Sequence, residues 1–404
     1  MHGDSTRDAL PRASTIGVFL IFLKLGLTSF GGPIAHLGYY RHEFVERRKW
    51  LDETAYAELV ALCNFLPGPA SSQIGMALGI SQTGLPGGIA AWMGFTLPSA
   101  LLLIAFAYGF EALGLSADSG ALHGLKVVAV AVIAQAVWSM GKTLCPDRLR
   151  ASLAIVATLI VFWWSSALGQ IVAVLVGALV GAQWLTPVQN QATRSLNFPV
   201  KVRTASAAMA LFFGLLILLP ALALATGSHA LALADSFYRT GSLVFGGGHV
   251  VLPLLRNEVV PPGWVSDDVF LAGYGAAQAV PGPLFTFSAY LGTVMSPGPN
   301  GIAGGLLCLV AIFLPGFLLV VGALPFWTTW RSKQSVRAAL GGVNAAVVGI
   351  LLAALYDPVW TTSIRSARDM GLALAAFGLL MFWKVPPVIV VVATALASAA
   401  LGLR

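Results

Sequence analysis

Charge is what this sequence has least of. Asp, Glu, Lys and Arg make up 10% of its 404 residues, where an ordinary soluble domain carries about 25% and a well-dispersed surface roughly 25–35%. A chain this poor in charge cannot cover a water-facing globule of its length. Nor is it disordered, because disorder needs low hydrophobicity and high charge. Here 57% of the residues are hydrophobic and the mean hydropathy is +0.84. Cysteine is scarce as well. Cys63, Cys145 and Cys308 lie far apart, each in or beside an apolar stretch, which fits neither a disulfide framework nor a C-x-x-C metal site. They read as small packed residues. No H-E-x-x-H, no Cys/His cluster and no G-x-x-x-x-G-K-[ST] phosphate loop occurs, nor does a pair of histidines spaced for haem. The expectation is therefore no metal, no cofactor, no catalytic residues and no ATP-driven motor. The net charge of +7 comes from Lys and Arg scattered among short loops. That is not a nucleic-acid footprint; it suits the excess of basic residues on the cytoplasmic side of membrane proteins.

What is present is apolar sequence in long runs. A membrane helix needs about 20 mostly apolar residues. Candidate spans lie at 15–33, 54–80, 86–110, 121–140, 151–166, 168–185, 204–226, 230–248, 267–292, 301–326, 335–355, 369–384 and 386–402, some short and some broken. Runs such as Ile171 to Gly181 (IVAVLVGALVG) lack the apolar–polar alternation of a membrane β-barrel. Glycines one helical turn apart (Gly75/Gly79, Gly84/Gly88, Gly177/Gly181) allow close helix packing in lipid. The first apolar run, from Thr15, has no A-x-A-like cleavage site before the next polar segment, so it is expected to stay as a first span.

The polar stretch 186–203 divides the chain into halves, and the halves are repeats. Phe30-Gly31-Gly32 matches Phe245-Gly246-Gly247. In the same register Lys24 pairs with Arg239, Gly26 with Gly241, Arg41 with Arg256 and Glu43 with Glu258. After one deletion Trp50 pairs with Trp264 and Pro67-Gly68-Pro69 with Pro281-Gly282-Pro283, and further on Leu97-Pro98 pairs with Leu314-Pro315. Such internal repeats mark secondary transporters. The expected fold is an all-α polytopic membrane protein of two homologous helical repeats with broken transmembrane helices. The expected organisation is a polar N-terminal segment 1–14, a first repeat 15–185, a linker with one extra helix 186–229, and a second repeat 230–404. If segment 54–80 crosses the membrane, the second repeat is inverted, and this is the favoured reading. If its Pro-Gly-Pro turns it back, the repeats become parallel.

The breaks mark where chemistry would sit, because irregular backbone at membrane depth survives only when buried in protein or lining a cavity. Pro33 suits the first position of a new helix, whose free amides in mid-membrane would attract an anion. The glycines Gly31, Gly32, Gly246 and Gly247 also allow tight crossing. Pro67, Gly68, Pro69, Pro281, Gly282 and Pro283 forbid continuous helix. Asn64 and Gln278 precede these breaks at matching positions, and Ser71, Ser72 and Thr286 follow. Lys24 and Arg239 are charges deep in apolar segments, where a charge costs about 2.5–3.5 kcal/mol or more and usually serves a function. For Arg239 a structural ion pair with Asp235, one helical turn earlier, is the alternative; Lys126 is a weaker candidate. Arg41, Glu43, Arg256 and Glu258 read either as gate or proton relay, or as caps on solvated helix ends. Arg47-Arg48-Lys49 reads as an interfacial anchor. His36 and His249 do not align with each other, and each reads as a packed imidazole.

The segment Phe22 to Pro33, F-x-K-x-G-x-T-S-F-G-G-P, resembles the chromate ion transporter family. So do Asn64-Phe65-Leu66-Pro67-Gly68-Pro69, Phe245-Gly246-Gly247-Gly248-His249 and Gln278-Ala279-Val280-Pro281-Gly282-Pro283. The similarity runs from about residue 15 to the C-terminus and looks like the long form with two fused domains. The resemblance implies a multi-pass protein of the inner (plasma) membrane that exports chromate and confers chromate resistance. It also implies a drive from the proton motive force or membrane potential, sulfate as a related oxyanion, and antiparallel domains. The partners expected are chromate or a related oxyanion and the lipid bilayer, with no nucleic acid; a homodimer is compatible. The rival readings are a sulfate carrier of the same architecture, a membrane redox enzyme, and a subunit that needs a partner for flux.

Overall fold

The computed structural model describes residues 13–30, 32–112, 120–164, 167–186, 198–245, 248–327 and 333–403. Among these every regular element is helical. The first half runs α1 (Thr15–Thr28), α2 (Gly32–Tyr40, continued by a wider turn Arg41–Arg47), α3 (Glu53–Phe65), α4 (Ala70–Thr83), α5 (Leu85–Ala112), α6 (Gly120–Leu144), α7 (Arg148–Trp163) and α8 (Ala167–Trp184). An additional helix, α9 (Val202–Thr226), follows. The second half opens with α10 (His229–Leu243), α11 (Val251–Val259, entered through Gly248–Val250), α12 (Asp267–Ala277) and α13 (Phe287–Val294, entered through Leu284–Thr286). It ends with α14 (Gly301–Ala323), α15 (Gln334–Ala354, extended by Leu355–Trp360 and Thr361–Ser363), α16 (Ala367–Met381) and α17 (Pro387–Ala400). α5, α6, α9, α14 and the extended α15 are long and apolar enough to cross a bilayer.

The broken segments do not cross. α1 has 14 residues, about 21 Å of helix, against a hydrocarbon core of about 30 Å. After its break the chain doubles back. His36 on α2 lies beside Ser29, and further along Tyr40 and Phe44 stack against Phe22 of α1, ring centroids 5.7 and 5.1 Å apart. α3 then returns beside α2, with Tyr56 donating to the Leu37 carbonyl at 2.7 Å. α4 leaves antiparallel to α1, since Gly75 meets Phe22 and Thr83 meets Thr15. Two re-entrant hairpins, α1–α2 and α3–α4, thus enter from one face and carry the Gly-Gly and Pro-Gly-Pro breaks at their tips. The second half builds α10–α11 and α12–α13 in the same way: Tyr290 on α13 reaches back to the Val269 carbonyl, and Ser296 bonds Trp264. Side chains cap the solvent ends of these arms. Ser14, Asp52 and Ser266 each accept from the backbone of the first turn.

The halves are inverted. α5 and α14 are equivalent helices, each with an internal proline, Pro98 and Pro315. They pack along their length in opposite directions, Gly88 meeting Phe317, Trp92 meeting Phe313 and Tyr108 meeting Gly301. Inversion and turning back therefore coexist, against the expectation that a hairpin at 54–80 would make the repeats parallel. Segment 15–33, a candidate span by composition, is also half of a hairpin, so two changes of parity cancel. An odd number of helices, α5 to α9, then separates the hairpins of the two halves, in keeping with the inversion.

Glycine sets the packing at equivalent places. A Cβ on Gly26 would lie 2.7 Å from the Phe95 carbonyl oxygen of α5, and one on Gly241 2.2 Å from that of Ile312 on α14. The last helices of each half exchange partners. α6 lies against α16 and α17, with Gly120 and Gly124 meeting Ala399 and Ala395. α15 lies against α7 and α8, with Gly177 and Gly181 meeting Gly342 and Ala338. Cys63 and Cys308 are buried, Cys145 partly so, and all three are free. The polar linker falls largely at 187–197, outside the described residues.

Hairpins make a labelling prediction. Single cysteines at Lys49 and Thr83 should react with an impermeant reagent from the same side of the membrane, and cysteines at Pro262 and Arg365 from the other. Labelling of Lys49 and Thr83 from opposite sides would mean that α3 and α4 cross.

Candidate functional site

The hairpin tips of the two halves meet and bond each other through backbone. The Gly68 N–H donates to the Val244 carbonyl at 2.7 Å, and the Gly282 N–H donates to the Ser29 carbonyl at 2.9 Å. These are one contact made twice, since Gly68 matches Gly282 and Ser29 matches Val244. Each carbonyl belongs to the residue just ahead of a Phe-Gly-Gly break, and each amide sits between two prolines of the opposite half. Both glycines adopt positive φ, +121° and +97°, which residues with a Cβ rarely adopt. A Cβ at Gly68 would also press on Gln73 and Gly316, and one at Gly282 on Ser99 and Phe95. Gln73 further donates to the Pro67 carbonyl at 2.8 Å. In the second half the Thr286 hydroxyl serves Pro283 at 2.8 Å.

A cavity of about 60 Å³ opens where these tips converge. One water needs about 10–15 Å³ on this measure, so the space suits a few waters or one small polyatomic ion. Gly32, where α2 begins with φ +73°, lines it from the first half, and His249, Gln278 and Gly282 line it from the second. Gln135 of α6 and Pro387 of α17 complete the polar and outer sides. Among the described residues the Gln278 amide nitrogen is buried with no hydrogen-bond partner, an unsatisfied donor of the kind that calls for an explanation. Gly31, Gly246 and Gly247 lie outside the described residues. Asn64, the match of Gln278, is exposed, so the two amides part ways.

Neither intramembrane cation lines the cavity. Lys24 is exposed on α1, in an outward stripe with Ile16, Leu20 and Leu27. Arg239 holds Asp235 at 2.8 Å and Glu258 at 3.0 Å through one nitrogen, while its Nε is buried without a partner among the described residues. Glu43, the match of Glu258, is taken instead by Arg47 and Arg48 at 3.0 and 2.6 Å. Arg41 and Arg256 behave alike. Arg41 bonds Glu53 at 2.8 Å, and Arg256 grips Asp267 with two bonds of 2.8 and 3.0 Å. Each thus ties the returning arm of one hairpin to the first turn of the next. Lys126, fully buried, pairs with Asp268 at 2.8 Å. Buried His36 touches Ser71 and the Ser29 carbonyl, both at 3.3 Å. Because a carbonyl only accepts, Nε2 carries a hydrogen. Reading from sequence passed over Gln135 altogether and took His249 as packed; its position directly after a Gly-rich break was the available signal.

The sequence pattern of the family described as "Chromate transporter" matches residues 16–182 and again 231–402. Over 98% of its length the chain is 30% identical to a chromate transport protein of Pseudomonas aeruginosa, covering 94% of that protein. It is 28% identical to a probable chromate transport protein of Synechococcus elongatus, over 96% of each. It is 26% identical to a chromate transport protein of Cupriavidus metallidurans, over 88% of this chain and 84% of the relative. No solved structure matches.

The crossed bonds predict that Gly68→Ala and Gly282→Ala each cost about 1–3 kcal/mol through backbone strain, before any clash is counted. Thermal unfolding in detergent should show both losses. Gly38→Ala, where a Cβ meets nothing within 4 Å, should leave the transition in place.

Proposed function

The chain belongs to the chromate transporter family, and from there we propose that it exports chromate from the cell across the cytoplasmic membrane. The observation that carries this reading is the pair of crossed backbone bonds, Gly68 to Val244 and Gly282 to Ser29, which joins the broken ends of the two halves beside one cavity lined by Gly32, Gln278 and Gly282. Inverted repeats with discontinuous helices at their interface are the architecture of alternating-access carriers.

Orientation follows from basic residues. Arg47, Arg48, Lys49, Lys142, Arg148, Arg150, Lys201, Arg203, Lys333, Arg337 and Lys384 fall at the end where α1 begins. At the opposite end lie Arg256, Arg365 and Arg368. The richer end faces the cytoplasm by the positive-inside rule. The inside-negative potential then favours outward movement of a dianion by about 2.3 kcal/mol per charge per 100 mV. In this reading the amides following Gly31-Gly32 and Gly246-Gly247 and the Gln278 amide bind the oxyanion. Asn64 enters the site in the opposite conformation, as the match of Gln278. The Pro-Gly-Pro segments Pro67-Gly68-Pro69 and Pro281-Gly282-Pro283 flex between states. Lys24 and Arg239 supply positive potential from the flanks.

The charged pairs supply the gate. In inverted repeats each half takes up the other's arrangement when access alternates. Arg239 with Glu258 closed, and Lys24 with Glu43 apart, describe one state; the other has Lys24 on Glu43 and Arg239 released. Arg41 and Arg256 stay on Glu53 and Asp267 in both, holding the hairpins as units.

Everted vesicles test this. Chromate should accumulate when the potential is imposed, and excess sulfate should compete, because the cavity donors recognise oxygens rather than the central atom. Lys24→Ala and Arg239→Ala should each lower flux at least tenfold in folded protein. Normal flux in both would refute their roles, and absence of flux in wild-type vesicles would sink the carrier reading.

A further inference from the structure

Among the described residues the cavity carries no fixed positive charge. Gly32, Gln135, Gln278 and Gly282 line it beside apolar groups, and among its lining residues there is no Lys, Arg, Asp or Glu. An anion entering such a place gives up hydration, and a buried charge without a partner is costly. One lining side chain is a base that gains a positive charge when it takes up a proton, and that is His249.

The imidazole is built to do so. Its Nδ1 lies 2.7 Å from the Tyr274 hydroxyl oxygen, and among the described residues this is the ring's one hydrogen bond. Nε2 is left on the opposite ring edge. A phenolic hydroxyl both donates and accepts. It can donate to Nδ1 of the neutral ring, then rotate to accept from Nδ1–H of the imidazolium, so either protonation state keeps its bond. Tyr274 is fully buried and stacks edge-on to Phe287, with centroids 5.8 Å apart, which fixes it in place.

Among the described residues, other ionisable groups near the ring are occupied or absent. On α6, which presents Gln135 to the cavity, His123 is held by Asp369 and Lys126 by Asp268. α15 carries a single ionisable side chain, Arg337, in its first turn. The segment Leu284–Thr286 carries none, and α2 and α17 present Gly32 and Pro387. His36, the buried histidine of the first half, has both ring nitrogens engaged and does not line the cavity.

We propose that His249 is a proton-linked anion ligand, protonated from solution as the oxyanion enters, with Nε2–H donating to an oxyanion oxygen beside the Gln278 amide. The bound species is then one dianion with one added proton: a solution acid gives up the proton, Nδ1 gains the N–H bond, and the oxyanion itself is unchanged. The inference rests on the chromate-carrier reading and adds to it how the site balances charge. Because the first half offers no equivalent, the proton is bound once per site.

Calorimetry of the full chain in detergent tests it. At pH 8, where chromate is a dianion, titrations in buffers of different ionisation enthalpy count the protons taken up on binding. Wild type should take up to about one proton per chromate, and His249→Gln none; His36→Gln should keep the wild-type count. With sulfate, a dianion throughout, wild-type affinity should weaken by as much as tenfold per pH unit between pH 8 and 9, the limit for one linked proton. Binding by wild type without proton uptake, or an undiminished count in His249→Gln, overturns the proposal. Should that variant fail to bind or fold, Tyr274→Phe keeps the ring but removes its two-way partner. A lowered proton count there supports the proposal, and an unchanged one overturns it. Absence of both chromate and sulfate binding by wild type falls instead on the carrier reading itself.

Discussion

Two backbone hydrogen bonds hold the centre of this molecule. Proline on either side of Gly68 and Gly282 forbids helix at the tip of each hairpin, and an unpaired amide at membrane depth would be costly. Each tip resolves this by donating to the carbonyl left free at the break of the other half. The satisfied backbone of one repeat is therefore a property of the other. Neither half can complete its own break, which is why the duplicated units are interlocked at the tips as well as by the exchanged packing of α6 against α16 and α17, and of α15 against α7 and α8.

That arrangement keeps fixed charge away from the centre. Carboxylates and guanidinium groups sit on the arms, where Arg41–Glu53 and Arg256–Asp267 repeat one contact in both halves. The cavity is left to amides, glycine backbone and one imidazole. Lys24 and Arg239 are equivalent in sequence but not in company. Asp235 and Glu258 hold the arginine, whereas Leu20 occupies the matching place before Lys24 and Glu43 is drawn off by Arg47 and Arg48. A two-fold relation in the backbone thus carries an asymmetric charge pattern.

Much of the fold was legible along the chain. The repeat register, the paired breaks and the helical class follow from identities at matching positions and from runs of apolar residues. The partner of Arg239 at Asp235 was visible as a helical spacing. Crossing numbers were harder, because a 14-residue α1 and the longer run at 54–80 have compositions that fit a span or half a hairpin equally. Gln278 was separable from Asn64 only by its surroundings, a side-chain amide lying at the cavity in one half and exposed in the other, while His249 differed from His36 along the chain only in directly following a Gly-rich break.

What the sequence by itself determined is therefore local and additive: membrane residence, helix, duplication and the sites where helix must stop. Each depends on composition or on residues a few positions apart. What the tertiary structure alone decided is which broken end completes which, that both hairpins turn back while the halves stay inverted, and which groups face the cavity. These depend on contacts between residues far apart in the chain, such as Ser29 with Gly282 and Trp92 with Phe313, and no local pattern encodes the partner at the other end of such a contact.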